Sequence, residues 1–177
     1  MGGTVQVNMI VVAAWQENTD WTLKLPSGWK PWVLLKDVDL PNEGREASTF
    51  LHAMQILYKN PPKLVAFVQG NPFDHCPDLF DRLQRPCAEF TWLPEANHGS
   101  DQHGSPNHTG LPVGDLCEAW TGSRFDGHVM FAAGGQFMLP GKLLKKNPVD
   151  VYQTMEESVK MGEHAWVAER LWERVLA

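Results

Sequence analysis

The chain has 177 residues, 43% of them hydrophobic and eight of them Trp, which is enough apolar material for one sizeable core and fits a single domain. Its formal charge of −6 argues against a dedicated nucleic-acid binder, because phosphate-backbone affinity comes from clustered Lys and Arg. The one basic cluster, Lys142, Lys145 and Lys146, reads as a solvated helix face, and three cysteines without a CxxC spacing point to reduced thiols in a cytoplasm rather than to disulfides or structural zinc.

In chain order, Met1-Gly2 is followed by Gln6 where a myristoylation signal has Ser or Thr. Val5 to Trp15 begins with alternation and becomes continuously apolar, the pattern of a strand in a sheet covered on both faces. The run is too short to span a bilayer and has no basic segment ahead of it, so neither a signal peptide nor a membrane span is expected. Pro31 to Leu35 and Leu64 to Val68 are two further buried-strand patterns. Between them Ala47, Phe50, Leu51, Met54, Leu57 and Tyr58 follow the spacing of one apolar helix face, with Asn42 as the expected cap and Asn60-Pro61-Pro62 as the stop. Residues 31 to 68 therefore read as strand, helix, strand, a parallel crossover.

Leu93 to Asp115 is rich in Gly, Pro, Asn, Ser, Asp and His and reads as a long polar loop, a lid or an excursion from the core. Val129 to Leu139 returns to strand character around Gly134-Gly135, and helical patterns follow near Val149 to Met161 and Glu163 to Leu176. In the last, Ala165, Ala168 and Trp172 share an apolar face, so the segment reads as a docking helix. The expected fold is one compact α/β domain over residues 1–177, with a mostly parallel central sheet and a polar loop at about 93–115.

Ligands of open α/β sheets collect beyond the carboxyl ends of parallel strands, and those positions are polar in this chain. Glu17, Asn18, Asp20 and Trp21 follow the first apolar run, Lys36, Asp37 and Asp39 the second, and Gln69 to His75 the third. Asn42-Glu43-Gly44-Arg45-Glu46 falls at a helix start, where free N–H groups favour an anion and Arg45 adds a phosphate clamp. Arg45, Ser48, Thr49 and His52 share a helix face opposite the apolar stripe. In Gln69-Gly70-Asn71-Pro72-Phe73-Asp74-His75, Gly70 permits close backbone approach, and Asp74 with His75 offers acid–base chemistry or ligands for a divalent metal such as Mn or Mg. Gly134 and Gln136 are candidate pocket residues, with Asp126 and His128 upstream as acid–base groups. Asp37-Val38-Asp39 has an Asp-x-Asp pattern of little weight, and His98, His103 and His108 lack tight ligand spacing.

The ordered motifs Pro41 to His52 with Asn42-Glu43-Gly44-Arg45-Glu46, Phe67 to His75, Gly134-Gly135-Gln136-Phe137 and Glu169-Arg170-Leu171-Trp172 resemble an uncharacterised, glycosyltransferase-like family of fungi and bacteria, a domain of unknown function. The resemblance implies a nucleotide-sugar-transferase-like (GT-A-like) α/β fold and raises Arg45, Glu46, Gln69, Asp74 and His75 as site residues. The expected activity is transfer from a nucleotide-sugar donor. In that scheme Asn42, Gly44, Arg45, His52, Gln69, Gly70, Gly134 and Gln136 bind substrate or phosphate, and Asp74, His75, Glu46 and Asp126 do the chemistry. The same residues suit a small metal-assisted hydrolase of a phosphorylated or glycosylated substrate, and exposed Trp suits a non-catalytic carbohydrate or partner-binding module.

Overall fold

A computed structural model describes residues 7–177. The glycine of Met1-Gly2 and the strand start at Val5-Gln6 lie outside the described residues. The chain runs through β1 (Asn8–Ala14), β2 (Trp29–Leu35), α1 (Arg45–Leu57), β3 (Leu64–Gln69), α2 (Leu79–Arg82), β4 (Thr91–Trp92), β5 (His98–Asp101), β6 (Gly104–Ser105), β7 (His108–Thr109), α3 (Val113–Thr121), β8 (His128–Phe131), β9 (Phe137–Pro140), α4 (Val149–Val159) and α5 (His164–Leu176). Short 3-10 turns cover Asp20–Lys24, Pro72–Asp74 and Gly141–Lys145. Among the described residues no helix is long and apolar enough to cross a membrane.

The main sheet has the order β2-β1-β3-β9-β4. β1 pairs in parallel with both β2 and β3, so α1 carries the chain from β2 across β1 to β3, the crossover that the alternation of apolar runs and helix face dictates. Alternate residues of the central strands enter two separate cores. Val11, Ala13, Val65, Phe67, Phe137 and Leu139 pack beneath α1, α4 and α5, while Ile10, Val12, Ala14, Ala66, Val68 and Met138 pack on Trp29, Leu79, Leu83 and Leu93. That double coverage is why β1 and β3 are apolar at nearly every position. Aromatic rings fill the thicker core: Phe67 and Phe137 have centroids 5.1 Å apart, and Phe137 and Trp172 5.4 Å.

The expectation of a mostly parallel sheet is corrected on its other side. β9 is antiparallel to β3, and β4 is antiparallel to β9. The reason lies in Val129 to Leu139, which reads as one strand but is two: Gly134 and Gly135, at φ 80° and 58°, turn the chain between β8 and β9. β8 joins a second, antiparallel sheet of order β7-β6-β5-β8, and β9 re-enters the main sheet against β3. The polar stretch at 93–115 is likewise ordered into β5, β6 and β7, an excursion with its own hydrogen-bonded strands.

Candidate functional site

The carboxyl ends of β1, β2 and β3 open on one polar cleft, as the strand order requires. Beyond β1, Glu17 turns back so that its Oε2 accepts the Trp15 N–H at 2.6 Å. Beyond β3, Gly70 passes so close that a Cβ there would lie 2.7 Å from Glu17 Oε2, so any side chain would displace the Glu17 carboxylate. Its carbonyl accepts the Trp21 indole N–H at 2.8 Å. Beyond β2, Lys36 is only 5% exposed; its Nζ donates to Glu43 O at 2.5 Å and to Ser48 Oγ at 2.9 Å, and burial lowers its proton affinity.

The start of α1 differs from the expected cap. Asn42 is exposed and its amide reaches Asp37 Oδ2 at 3.4 Å; the residue preceding the helix is Gly44, with φ 63° and no side-chain cap. Arg45 follows at φ 50°, a left-handed conformation that costs a non-glycine residue roughly 1 kcal/mol or more and concentrates at functional sites. The twist sends Arg45 and Glu46 into the cleft. The Arg45 guanidinium stands 5.6 Å from the Trp166 ring centroid, with its Nε 3.7 Å from Glu46 Oε2. Ser48 and Thr49 are buried rather than displayed on an outer face, and His52 turns away from the cleft to Glu156 of α4 at 3.9 Å.

Glu46 shares a cavity with a second carboxylate, Glu169 of α5, a helix whose sequence pattern reads as a docking helix. The side chains are 12% and 13% exposed. Burial pushes the Glu169 carboxyl up to about 7, and repulsion from Glu46 adds to it, against the pull of Arg170, the Gly134 N–H and Arg45. Burial likewise raises Glu46, opposed by its own backbone N–H, Arg45, Lys36 and the Gln69 amide. Glu169 Oε1 accepts the Gly134 N–H at 2.6 Å, which fixes the carboxyl against the β8–β9 turn. A sequence signal for Glu169 does exist: it lies four residues after Ala165 and three before Trp172, at the edge of the stripe that α5 buries. A carboxylate at the edge of an apolar stripe is a feature that periodicity arguments pass over.

Arg45, Glu46 and Gln69 are shared by two chambers. The outer, of about 420 Å³, is bounded by Trp15, Glu17, Lys36, Asn42, Asn71 and Asp74. The inner, of about 230 Å³, is bounded by His75, His98, His108, Trp166, Glu169 and Arg170. The small sheet thus completes the site by delivering His98 and His108 to α5. Gly134 also lines the inner chamber; a Cβ there would fall 2.5 Å from His75 Cδ2, so the Gly134–His75 approach depends on glycine.

Asp74 and His75 are adjacent and together border a third hollow of about 440 Å³ with Asp78, Glu95 and His98. Asp74 Oδ2 accepts the Asn71 amide at 3.0 Å on the outer rim, whereas His75 reaches the inner chamber. Among the described residues no three His, Cys, Asp or Glu converge, so Asp74 and His75 form no all-protein cage; a Mn or Mg ion on them would draw its other ligands from water and substrate. Gln136 is fully buried and donates to Pro72 O at 3.2 Å, supporting the 72–74 turn rather than lining either chamber. Asp126 is exposed ahead of β8 and borders neither chamber. The Asp37-Val38-Asp39 carboxylates close a turn: Asp37 accepts the Trp15 indole N–H at 2.9 Å, and Asp39 the Leu35 N–H at 2.8 Å.

Two buried glutamates, one with its proton affinity brought near neutrality and both beside an arginine, can exchange protons with a bound hydroxyl or water. Comparison with family models, with curated proteins and with solved structures finds no significant match, leaving the geometry of the cleft to say what it does.

Proposed function

We propose that this chain is a glycosyltransferase-like enzyme that takes a sugar from a nucleotide-sugar donor, with the Glu46–Glu169 cleft as its active site. The observation that carries this reading is the pair of buried glutamates facing Arg45 across one polar cavity. Glycosyl transfer needs a carboxylate to take the acceptor's proton, a cation to offset charge on the departing phosphate, and exclusion of bulk water. Glu169, whose proton affinity burial raises to about 7, suits the first, and Arg45 the second. Gln69, which lines the cavity beside Glu46, and Asn71 and Asp74 on the rim suit the hydroxyls of a sugar.

A GT-A-like arrangement belongs to the same proposal, supported by the parallel β2-β1-β3 unit with polar strand ends. A cytoplasmic setting fits its free cysteines. Hydrolysis is the competing reading, favoured by the same Glu169 proton affinity, with water taking the place of the acceptor.

The test is a thermal-shift panel of nucleotide sugars, nucleotides and divalent cations on the wild type and on Arg45→Gln, followed by product analysis with and without acceptor sugars. Stabilisation by a nucleotide sugar that weakens in a folded Arg45→Gln protein supports the proposal. No nucleotide-sugar binding under any cation condition defeats it, and release of free sugar irrespective of acceptor assigns the hydrolase.

A further inference from the structure

The inner chamber holds more hydrogen-bond donor capacity than its own residues use. Arg170 is 2% exposed, yet its guanidinium is only partly engaged. Nη1 donates to Trp166 O at 2.5 Å, and Nη2 donates to Ser105 Oγ at 3.0 Å and lies 3.3 Å from His108 Nδ1. The nearest carboxylate oxygen, Glu169 Oε2, stands 3.6 Å from Nη1, an ion-pair distance too long for a hydrogen bond. Phe131 covers the guanidinium with its ring centroid 4.6 Å away, and Nε is buried with no partner among the described residues. A buried charged donor without an acceptor is costly, and natural folds retain one where a ligand or water completes it.

A second guanidinium borders the same space. Arg45 stands over Trp166, and the Trp166 ring in turn packs on His108 at a centroid distance of 4.3 Å. Arg170 and Arg45 therefore flank one small cavity together with the His108 imidazole and the Ser105 hydroxyl. The carboxylates that would oppose an anion there, Glu46 and Glu169, are both shifted toward their neutral forms by burial. The two chambers differ in size, about 230 Å³ against about 420 Å³, and join at Arg45, Glu46 and Gln69.

We propose that the inner chamber is an oxyanion subsite for a phosphoryl group, held by the Arg45 guanidinium and bordered by that of Arg170, with His108 and Ser105 at its flank. A guanidinium suits this role because its fork of N–H donors matches phosphate oxygens. The phosphate end of a substrate occupies the inner chamber, and the portion carrying hydroxyls extends past Glu46 into the outer one. What the phosphate is attached to rests on the glycosyl-transfer reading; binding of the anion does not.

The experiment titrates the full chain with inorganic phosphate, pyrophosphate, acetate and chloride at matched ionic strength. It follows thermal midpoint and the Nε–H resonance of Arg170 in a nitrogen–proton spectrum. Phosphate and pyrophosphate are expected to raise the midpoint saturably and to move the Arg170 resonance, with affinity falling about tenfold in Arg45→Gln and several-fold in His108→Ala. Because Arg170 is buried, its own replacement mixes binding with folding, so the resonance and the two peripheral variants decide. No saturable phosphate effect, or one unchanged in both variants, overturns the subsite, and an equal response to acetate overturns its assignment to phosphoryl groups. Phosphate binding without nucleotide-sugar turnover leaves the subsite standing and defeats the transferase. Turnover with no phosphate response in the inner chamber does the reverse.

Discussion

The cleft buries two basic residues, Lys36 beyond β2 and Arg170 on α5, and the fold treats them in opposite ways. Lys36 is directed inward onto the backbone: its ammonium donates to Glu43 O and Ser48 Oγ and ties the end of β2 to the loop that starts α1. Arg170 also anchors backbone through Trp166 O, but its Nε has no partner among the described residues, and it stands beside a carboxyl whose proton affinity is raised to about 7. The difference separates a charge used as a structural latch from one whose donor capacity is only partly used. Satisfied buried charges stabilise a connection, whereas under-satisfied ones beside a cavity retain the capacity to meet a ligand.

The sharpest way to break that contrast is through Glu169. Glu169→Gln keeps an acceptor for the Gly134 N–H but removes the titrating proton, so turnover of any nucleotide sugar found by the panel should fall by about 10²- to 10⁴-fold with little change in KM. A steady-state comparison checks this, and retention of most activity would move the chemistry to Glu46.

The same variant should behave oppositely in stability. The folded-state value near 7 lies above the ordinary 4.5 of a glutamate, so the group's contribution favours the folded chain fully below about pH 4.5 and is lost as pH rises through about 7. Glu169→Gln escapes that loss and should exceed the wild type by roughly 2–3 kcal/mol at alkaline pH, with the advantage vanishing in acid. Denaturant melts at the two extremes read the sign directly, and the midpoint of the change belongs to the Glu46–Glu169 pair rather than to one residue.

Lys36→Met tests the latch. It removes the bond to Glu43 O and one bond to Ser48 Oγ while relieving the burial of a charge, for a net loss of about 1–2 kcal/mol, and it moves the shared Glu46–Glu169 transition to higher pH because Lys36 no longer lowers the proton affinity of Glu46. A chemical denaturation series across pH measures both. The smallest effect is expected for Asp126→Asn, outside both chambers, where kcat and KM should stay within about twofold of wild type.

Much of the parallel half was legible because its causes are local. Continuous apolar runs at β1 and β3, the helix face from Ala47 to Leu57, and Gly70 after β3 each carry a signal within a dozen residues, and they place Arg45, Glu46 and Gln69 at the carboxyl edge of the parallel strands. The antiparallel half was less legible because two glycines divide one apolar run into strands of different sheets. Asn42 was misplaced as a cap because the helix start is set by consecutive left-handed residues, Gly44 and Arg45, rather than by side-chain chemistry.

By itself, then, the sequence determined a two-sided apolar sheet, a crossover helix, and a polar edge with a buried-strand glycine, since burial periodicity and turn residues act over short separations. Only the tertiary structure decided that Glu169 faces Glu46, that His98 and His108 arrive from a separate sheet, and that Asp126 and His52 stand apart from them. These are contacts across more than a hundred residues in the case of the two glutamates, and no local pattern encodes which buried carboxylate will meet which.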